Sequence, residues 1–370
     1  MDREEAFREA ERCTECELCL EKCPTYKLTG RKELSPLGRL RMMREMKGGA
    51  EVEGMVEALY SCTKCMACEV VCPEEIEVSK VVAVGREILV EKGLAPFERG
   101  KKIIKGIMER GNAVAGDPAK RWDWLPEDFT PQESDRLLYI GCLASYLVKD
   151  VARSSFLLMK ELGIPFTMWE DEGCCGTYIY EAGERGRAEE LFSKNTERFL
   201  SAGIKEIVVP CNGCLKCFKY FYPEVLGDFP PRVRHLLEVV HERLKEDPSL
   251  LKELGRTISY HDPCRLSRGE GLIEEPRELF RFCGLEVKEM ERRGEDTICC
   301  GSGAGVRSLY KGLSQQMAQE VLGMAKGEVL VSTCPFCTFN LRSTSKEMGL
   351  GKEVVYFSEL ILSSLRGEGR

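Results

Sequence analysis

The sequence predicts an α/β protein with an N-terminal α-helical module followed by two duplicated α/β domains whose sheets are largely parallel. Two observations predict this fold class. A pair of four-cysteine runs stands at the start of the chain, and a five-cysteine pattern then occurs twice. The two patterns together include 18 of the 20 cysteines. We expect the helical module over residues 1–110, a linker or covering loop over 111–135, and the α/β domains over 136–250 and 251–370.

Composition limits the class of protein. A chain of 370 residues can form two or three domains with buried cores, and 43% hydrophobic with 31% charged residues is typical of a soluble globular protein. The net charge of −7 argues against a nucleic-acid partner. We find neither an apolar run long enough to span a bilayer nor the apolar core of a signal peptide, so we expect a cytoplasmic protein. Because thiols stay reduced there, the cysteines are interpreted as metal ligands.

The two N-terminal runs have the spacing Cys-x2-Cys-x2-Cys-x3-Cys-Pro, which is typical of ferredoxins with two [4Fe–4S] clusters. In such pairs the fourth cysteine of each run binds the cluster of the other run. We therefore assign one cubane cluster to Cys13, Cys16, Cys19 and Cys72. The second cubane is assigned to Cys62, Cys65, Cys68 and Cys23. Two structural zinc sites are the alternative, although zinc usually takes paired cysteines and not runs of four. The 38 residues between the runs favour a helical ferredoxin module over a small β-rich one.

The remainder of the chain is an internal repeat. The matching cysteines are offset by 122, 125 and 123 residues, so the two halves align almost without gaps. Short apolar runs precede cysteines in both halves and predict buried strands at 137–140, 207–209, 257–260 and 329–331. Amphipathic helical stretches lie between them. Alternating strands and helices imply parallel sheets, and the cysteines fall at the carboxyl ends of strands, where such sheets bind ligands.

Each repeat contains one cysteine, then a Cys-Cys-Gly sequence, then Cys-x2-Cys. The first set is Cys142, Cys174, Cys175, Cys211 and Cys214, and the second is Cys264, Cys299, Cys300, Cys334 and Cys337. Five thiols exceed the four that a cubane or a tetrahedral zinc requires. The residues alone leave open an unusual cluster, a zinc ion, or an ordinary cluster with a spare thiol.

With these motifs the chain resembles the CCG-domain iron–sulfur oxidoreductases, and the resemblance covers nearly all of it. That family includes the catalytic subunits of heterodisulfide reductase and the iron–sulfur subunits of glycolate, lactate and anaerobic glycerol-3-phosphate dehydrogenases. Two cubane motifs fused to two complete CCG sets look most like the D subunit of heterodisulfide reductase.

The resemblance implies a noncubane [4Fe–4S] cluster at each CCG set, held by the ten catalytic cysteines named above. It also implies that a redox partner supplies electrons through the cubanes, and that a disulfide such as that of coenzyme M and coenzyme B is reduced to two thiols. A membrane cytochrome b subunit would then attach the protein to a membrane. The alternative is an electron-transfer subunit for a flavoprotein that oxidises glycolate, lactate or glycerol-3-phosphate.

Three further residues are candidates with weaker signals. Cys283 aligns with Leu162 of the first repeat, which favours a buried apolar role, and Cys217 is interpreted as chance proximity to the Cys-x2-Cys pair. His261, three residues before Cys264, could hydrogen-bond a cluster sulfur or supply a proton, but a packed residue at a strand end is the preferred interpretation.

Basic residues could hold anionic substrate groups. Those nearest to the CCG sets in sequence are Lys216, Arg265, Arg268 and Arg307. A second basic stretch lies between the ferredoxin runs and is interpreted as a solvated face, with docking of an acidic redox partner as the alternative: Arg31, Lys32, Arg39, Arg41, Arg44 and Lys47.

Overall fold

The computed structural model describes residues 1–50, 52–126 and 132–368. Within those ranges an all-helical N-terminal part precedes two parallel sheets surrounded by helices, which confirms the predicted fold class. No helix in the described ranges is long and apolar enough to cross a membrane. The predicted division of the chain at residues 110, 135 and 250 stays a prediction.

The described part of the N-terminal module contains six α-helices. They are α1 (Arg3–Glu11), α2 (Pro24–Thr29), α3 (Pro36–Lys47), α4 (Val56–Tyr60), α5 (Val78–Glu91) and α6 (Glu98–Arg110). Local sequence fixes their starts: Asp2 and Glu5 form a capping box on α1, and the Ser35 hydroxyl accepts from the Gly38 N–H at the start of α3. The helices bury a core that includes Leu40 and Val81, and the cysteine runs lie in the loops between them.

The first sheet has three parallel strands in the order β1-β2-β3. Their bounds are β1 (Arg136–Leu138), β2 (Glu206–Val209) and β3 (Arg232–His235). A parallel bridge from Leu137 to Thr167 extends the sheet beyond β1. The helices of this half are α7 (Cys142–Tyr146), α8 (Lys149–Glu161), α9 (Thr177–Glu181), α10 (Arg185–Ser201), α11 (Asn212–Lys216), α12 (Tyr222–Leu226) and α13 (Leu236–Glu246), with a π-helix at Cys217–Phe221.

The second sheet repeats this arrangement with four parallel strands in the order β5-β4-β6-β7. Their bounds are β4 (Thr257–His261), β5 (Glu286–Val287), β6 (Val329–Ser332) and β7 (Glu353–Tyr356). The helices of this half are α14 (Cys264–Glu270), α15 (Glu274–Phe282), α16 (Val306–Leu309), α17 (Lys311–Met324), α18 (Pro335–Glu347) and α19 (Phe357–Arg366). The strands of the two sheets correspond one to one: β4 to β1, β6 to β2, β7 to β3, and β5 to the Thr167 bridge. The duplication seen in the sequence is therefore also a duplication of topology.

The two α/β halves share one continuous core. The cluster of buried side chains that begins in the first sheet runs on through the strands of the second. Helix α8 packs along α19, where the hydroxyls of Ser154 and Ser358 are 2.7 Å apart. The Tyr356 hydroxyl donates to the carbonyl of Pro210 at 2.7 Å, next to a cysteine of the other half. The carboxyl edges of the two sheets are therefore held in a fixed relation.

The segment predicted as a linker or covering loop packs against the first α/β half. Trp124 is buried in its core and lies edge-on to Phe156, while the Asn112 side chain bonds the backbone of residues 110–116. Residues 127–131 of the segment lie outside the described residues.

A buried arginine joins all three parts of the molecule. Arg86 on α5 is fully buried and donates to the carbonyls of Leu59, Cys62, Glu181 and Ala304 at 2.7–3.1 Å. Two of these carbonyls belong to the ferredoxin module, one to the first α/β half and one to the second. A guanidinium can serve four acceptors because it carries five N–H donors in a fixed plane.

Gly327→Ala should destabilise the second sheet by about 1–3 kcal/mol, because a Cβ there would overlap the backbone of Ile258 and Ser259. The midpoint of thermal unfolding measures this. Gly323→Ala on α17 is the matched control: a Cβ there meets no atom within 4 Å, so it should stabilise the helix by about 0.5–1 kcal/mol. Equal effects of the two substitutions would contradict the packing described.

Arg86→Met should lower the free energy of unfolding by at least about 3 kcal/mol, since each hydrogen bond from a charged donor contributes about 1.5–3 kcal/mol. Thermal unfolding under anaerobic conditions is the measurement. Arg153→Met, which removes an exposed arginine from α8, should leave the midpoint nearly unchanged. An Arg86 variant as stable as the Arg153 variant would show that this contact does not hold the three parts together.

Candidate functional site

The cysteines of the ferredoxin runs line two adjoining hollows. Among the lining residues of one are Cys13, Cys16, Cys19, Cys68 and Cys72. The other is lined by Cys23, Cys62, Cys65 and Cys68, so Cys68 borders both. The fourth cysteine of each run thus lies with the three leading cysteines of the other run, which is the arrangement that crossed ligation requires.

Both ferredoxin loops hold their backbones in an uncommon conformation at matching positions. Glu15 and Lys64 precede the second cysteine of their runs, and Glu17 and Met66 follow it; all four have φ between 53° and 63°. Such a left-handed conformation costs a non-glycine residue about 1–2 kcal/mol. The free-energy cost of this conformation is found at matching positions in both loops. This indicates that the loops are shaped to surround a bound group.

Arg39 corrects the interpretation of the basic stretch as a wholly solvated face. It is 1% exposed, donates to the Ala58 carbonyl at 2.7 Å and lies 3.8 Å from the Cys23 sulfur. A buried cation at this distance would offset the negative charge of a cluster. The other residues of the stretch are exposed or half-buried, and salt bridges to glutamates are made by Arg31, Lys32, Arg41, Arg44 and Lys47.

All ten cysteines of the duplicated sets line a single cavity of about 1020 Å³. The cavity lies between the carboxyl edges of the two sheets because each set follows a strand: Cys142 and Cys264 begin helices just after β1 and β4, and Cys211 and Cys334 cap helices just after β2 and β6. Sequence spacing predicted a site at each edge. It did not predict that both sites open into one space.

Within each set the thiols touch in the same order. In the first the order of contact is Cys142, Cys174, Cys175, Cys214, Cys211. In the second it is Cys264, Cys299, Cys300, Cys337, Cys334, with the Cys300 and Cys337 sulfurs 3.1 Å apart. The duplicated sequence therefore produces two copies of one ligand geometry.

The glycine of each Cys-Cys-Gly sequence has a backbone role. Gly176 and Gly301 have φ of 83° and 85°, and each N–H donates to the sulfur two residues earlier at 3.4 Å. A Cβ would collide with Phe192 at the first position and with the backbone of Ser314 at the second. Glycine at these positions therefore lets the two turns pack closely against α10 and α17.

The second ferredoxin loop meets the second cysteine set directly. The Cys65 thiol contacts that of Cys299, and Cys264 packs beside them. Arg268 on α14 closes this junction by donating to the Cys65 carbonyl at 2.8 Å and to the Thr297 carbonyl at 2.8 Å. Of the four basic residues singled out in the sequence, Arg265 and Arg307 line the cavity and Lys216 and Arg268 do not. Arg268 lies instead at the module junction.

Buried charges fill the space between the ferredoxin module and the cavity. Glu181 pairs with Lys64 at 2.7 Å and with Arg265 at 2.8 Å, all three being buried or nearly so. Burial alone would raise the pKa of Glu181, but these cations hold it well below its usual value, so the carboxylate stays charged. Lys216 is close by, and burial followed by repulsion from Arg265 lowers its pKa to about 7.

The cavity wall is predominantly cationic. Among the described residues two acidic side chains line it, Glu109 and Glu181, against seven basic ones: Arg99, Lys102, Lys105, Arg110, Arg265, Arg307 and Lys311. The sequence predicted Arg265 and Arg307 but missed Lys311 on α17 and the four on α6. A signal for them exists, because Arg99, Lys102 and Lys105 recur at helical spacing opposite the buried Ile104 and Ile107.

Several polar atoms of the cavity wall are buried without a partner in the described structure. They include both amide atoms of Asn212, the Thr177 hydroxyl, the Ser302 hydroxyl and Nε of Arg307. Buried polar groups are nearly always hydrogen-bonded in folded proteins. These atoms therefore point to groups that bind in the cavity.

The two cysteines outside the sets have structural places. Cys283 is fully buried and ends α15, with Gly284 left-handed after it just as Gly163 follows Leu162. Cys217 is also buried, and its thiol donates a hydrogen bond to the Cys175 carbonyl oxygen at 3.1 Å. Its repeat counterpart, Asn340, donates to the Cys300 carbonyl at 2.6 Å. Cys217 thus supports the Cys-Cys-Gly turn as Asn340 does, and its proximity to the set is not chance.

His261 combines both interpretations that the sequence allowed. It is a buried residue at the end of β4, yet one of its ring nitrogens lies within 4.8 Å of the sulfurs of Cys300 and Cys337. The carboxylate of the neighbouring Asp262 binds Arg277 at 2.8 and 2.9 Å and accepts from the Gly294 N–H.

The donor sets fit iron–sulfur clusters. Buried thiols at contact distance, loops with strained backbones, and unpartnered polar atoms around them are what a bound inorganic core would stabilise. The cysteines that would hold such groups are the eight of the ferredoxin runs and the ten of the duplicated sets.

Comparison with known families agrees with this assignment of chemistry. A family described as 4Fe-4S dicluster domain matches residues 9–76. The CCG family, described as cysteine-rich domain, matches residues 137–219 and 258–342.

Curated relatives cover most of the chain. The D subunit of dihydromethanophenazine:CoB–CoM heterodisulfide reductase from Methanosarcina acetivorans is 32% identical, over 90% of this chain and 88% of the relative. The B subunit of the CoM/CoB fumarate reductase from Methanothermobacter marburgensis is 28% identical, over 92% and 69%. A probable glycolate oxidase iron–sulfur subunit from Bacillus subtilis is 24% identical, over 95% and 93%.

The chain also aligns with the crystal structure of a hypothetical protein from Helicobacter pylori. The alignment covers 99% of this chain and 77% of the Helicobacter chain, with a TM-score of 0.59 and 11% sequence identity. At this identity the likeness concerns the fold alone. The matched domains and the full-length relatives together identify the chain as an iron–sulfur oxidoreductase component that belongs to the CCG-domain family and is of the same type as the D subunit of heterodisulfide reductase.

Proposed function

We propose that the protein passes electrons from a redox partner through two cubane clusters to paired noncubane [4Fe–4S] clusters, at which a disulfide is reduced to two thiols. The observation that carries the proposal is the convergence of both five-cysteine sets on one cavity. The reaction consumes two electrons and two protons: the S–S bond breaks, and each sulfur leaves as a thiol.

The order of the thiols supports a path for the electrons. Cys16 is exposed, so the first cubane site is the one that a partner can approach. Cys68 borders both ferredoxin hollows, and Cys65 then contacts Cys299 of the second set. We therefore place the clusters in the order first cubane, second cubane, second CCG cluster, first CCG cluster.

The cavity wall supports an anionic substrate. Arg265 lies 2.8 Å from Glu181, which fixes its position, and Arg307 has a buried Nε without a partner in the described structure. Guanidinium groups bind carboxylate, sulfonate and phosphate oxygens through paired N–H donors. A disulfide that carries such groups, the heterodisulfide of coenzyme M and coenzyme B or a similar compound, would fill this space.

When bound, the clusters would supply single electrons and iron to which a sulfur can bind. The protein's own residues orient the substrate: Asn212, Thr177 and Ser302 offer buried hydrogen-bonding atoms on both sides of the cavity. Because the set cysteines are buried, with Cys264 half-buried, the reacting sulfurs would lie away from bulk water.

The similarity to a glycolate oxidase iron–sulfur subunit supports a second candidate. In that role the chain would carry electrons from a flavoprotein that oxidises glycolate, lactate or glycerol-3-phosphate. The partner would be that flavoprotein, whereas the disulfide reductase would take electrons from a partner such as a membrane cytochrome b subunit. The two roles differ in whether the cavity binds a disulfide.

Cys175→Ser and Cys300→Ser should each abolish disulfide reduction while the electron paramagnetic resonance (EPR) signals of the cubanes persist. Each variant removes a thiol from the middle of its set, whereas the cubane sites use other cysteines. The assay follows oxidation of reduced viologen by anionic disulfides, including that of coenzyme M and coenzyme B.

Cys217→Ser is the matched control, because a serine hydroxyl can still donate to the Cys175 carbonyl. It should keep the full iron content and most of the activity. Unchanged turnover in both set variants would contradict the proposed reaction. A wild-type protein that holds all clusters but reduces no disulfide would favour the electron-transfer role.

A further inference from the structure

Besides the Cys217 and Asn340 pair, the two CCG sets differ at another buried position next to their central thiols. His261 ends β4 in the second half and is 1% exposed, and neither ring nitrogen has a nitrogen or oxygen partner in the described structure, while the ring interacts with the Cys300 thiol. Tyr139 occupies the matching place in the first half, 122 residues earlier. Its hydroxyl donates to the Gly173 carbonyl at 2.8 Å, so it is already paired with the backbone.

The neighbours of the imidazole are sulfurs. One ring nitrogen, the Cys300 Sγ and the Cys337 Sγ all lie within 4.8 Å of one another. A neutral imidazole always carries one N–H, and a buried N–H without an acceptor is unfavourable. Thiolates of a bound cluster are acceptors at this position, whereas the thiols of a metal-free site are poor ones.

We propose that His261 donates an N–H to the Cys300–Cys337 thiolate pair and thereby raises the reduction potential of the second CCG cluster above that of the first. The inference rests on the proposed function, since it requires that both sets hold clusters. His261 is a positioning residue here: it acts through the thiolates and does not touch the substrate.

The direction of the effect follows from charge. A reduced cluster carries one more negative charge than an oxidised one, and a hydrogen bond to its sulfurs stabilises that charge. The first set has no such donor from Tyr139. The cluster with the higher potential is also the one next to Cys65, so electrons arriving from the second cubane would meet the better acceptor first.

A donor role suits the ring better than a ligand role. The second set already offers five thiolate ligands to a cluster, one more than a tetrahedral ion or a cubane takes. The Cys300 and Cys337 sulfurs are themselves in contact at 3.1 Å, and the imidazole nitrogen lies within 4.8 Å of both.

Redox titration followed by EPR spectroscopy tests the potential. In His261→Phe, which removes the donor, one of the two CCG signals should move to lower potential while the other stays in place. His261→Gln keeps an N–H donor and should restore most of the shift. Tyr139→Phe, the matched substitution in the first half, should leave the signal of the second cluster unchanged.

Isotope labelling tests the contact itself. The chain has only three histidines, and the other two have partners: His235 bonds the Pro210 carbonyl and the Leu237 N–H, and His241 pairs with Glu278. With ¹⁵N-histidine, pulsed EPR of the reduced protein should show one weakly coupled nitrogen that disappears in His261→Phe. A strongly coupled nitrogen would make His261 an iron ligand and overturn the donor assignment.

The outcomes separate the two proposals. Absence of any CCG-derived signal in the wild-type protein would overturn the proposed function and this inference with it. Two CCG signals that neither shift in His261→Phe nor show histidine coupling would overturn the inference alone.

Discussion

Close contact between thiols at the carboxyl edges of two parallel sheets is the constraint on which the rest of the molecule depends. At each edge, cysteines at the starts of helices meet the cysteines of a Cys-Cys-Gly turn. Together they form a continuous row of five sulfurs. The shared core of the two halves and the contact of α8 with α19 then hold the two rows across one cavity. A site that spans two sheets needs this rigidity, because neither sheet alone would fix the distance between the rows.

The ferredoxin module is attached by buried cations and not by apolar packing alone. Arg86 binds carbonyls of all three parts, and Arg268 links the Cys65 loop to the second half. Lys64, Arg265 and Glu181 add a buried ion group at the same junction. Such cations are costly to bury, but anionic clusters on both sides would offset that cost. With clusters bound at both sites, the charges that join the modules would also stabilise their reduced states.

The sequence predicted the parts of this structure that depend on periodicity and spacing. The strands β1, β2, β4 and β6 follow from apolar patterns, and the helical module follows from the 38 residues between the cysteine runs. The way the ferredoxin cysteines line two hollows agrees with their spacing. The shared cavity and the role of Arg86 could not be predicted from spacing, because they depend on how separate elements pack. The basic face of α6 has a signal in the sequence, but its place on the cavity wall depends on packing as well. Cys217 and His261 were undervalued for the same reason: their partners among the set cysteines are distant in sequence and close in space.

Iron and acid-labile sulfide per chain, measured on protein purified without oxygen, test the central claim most directly. The account predicts about 16 iron atoms and a similar amount of sulfide, four for each of four clusters. About 8 iron atoms, with or without zinc, would leave only the ferredoxin clusters. That result would contradict the assignment of clusters to the ten cysteines of the cavity.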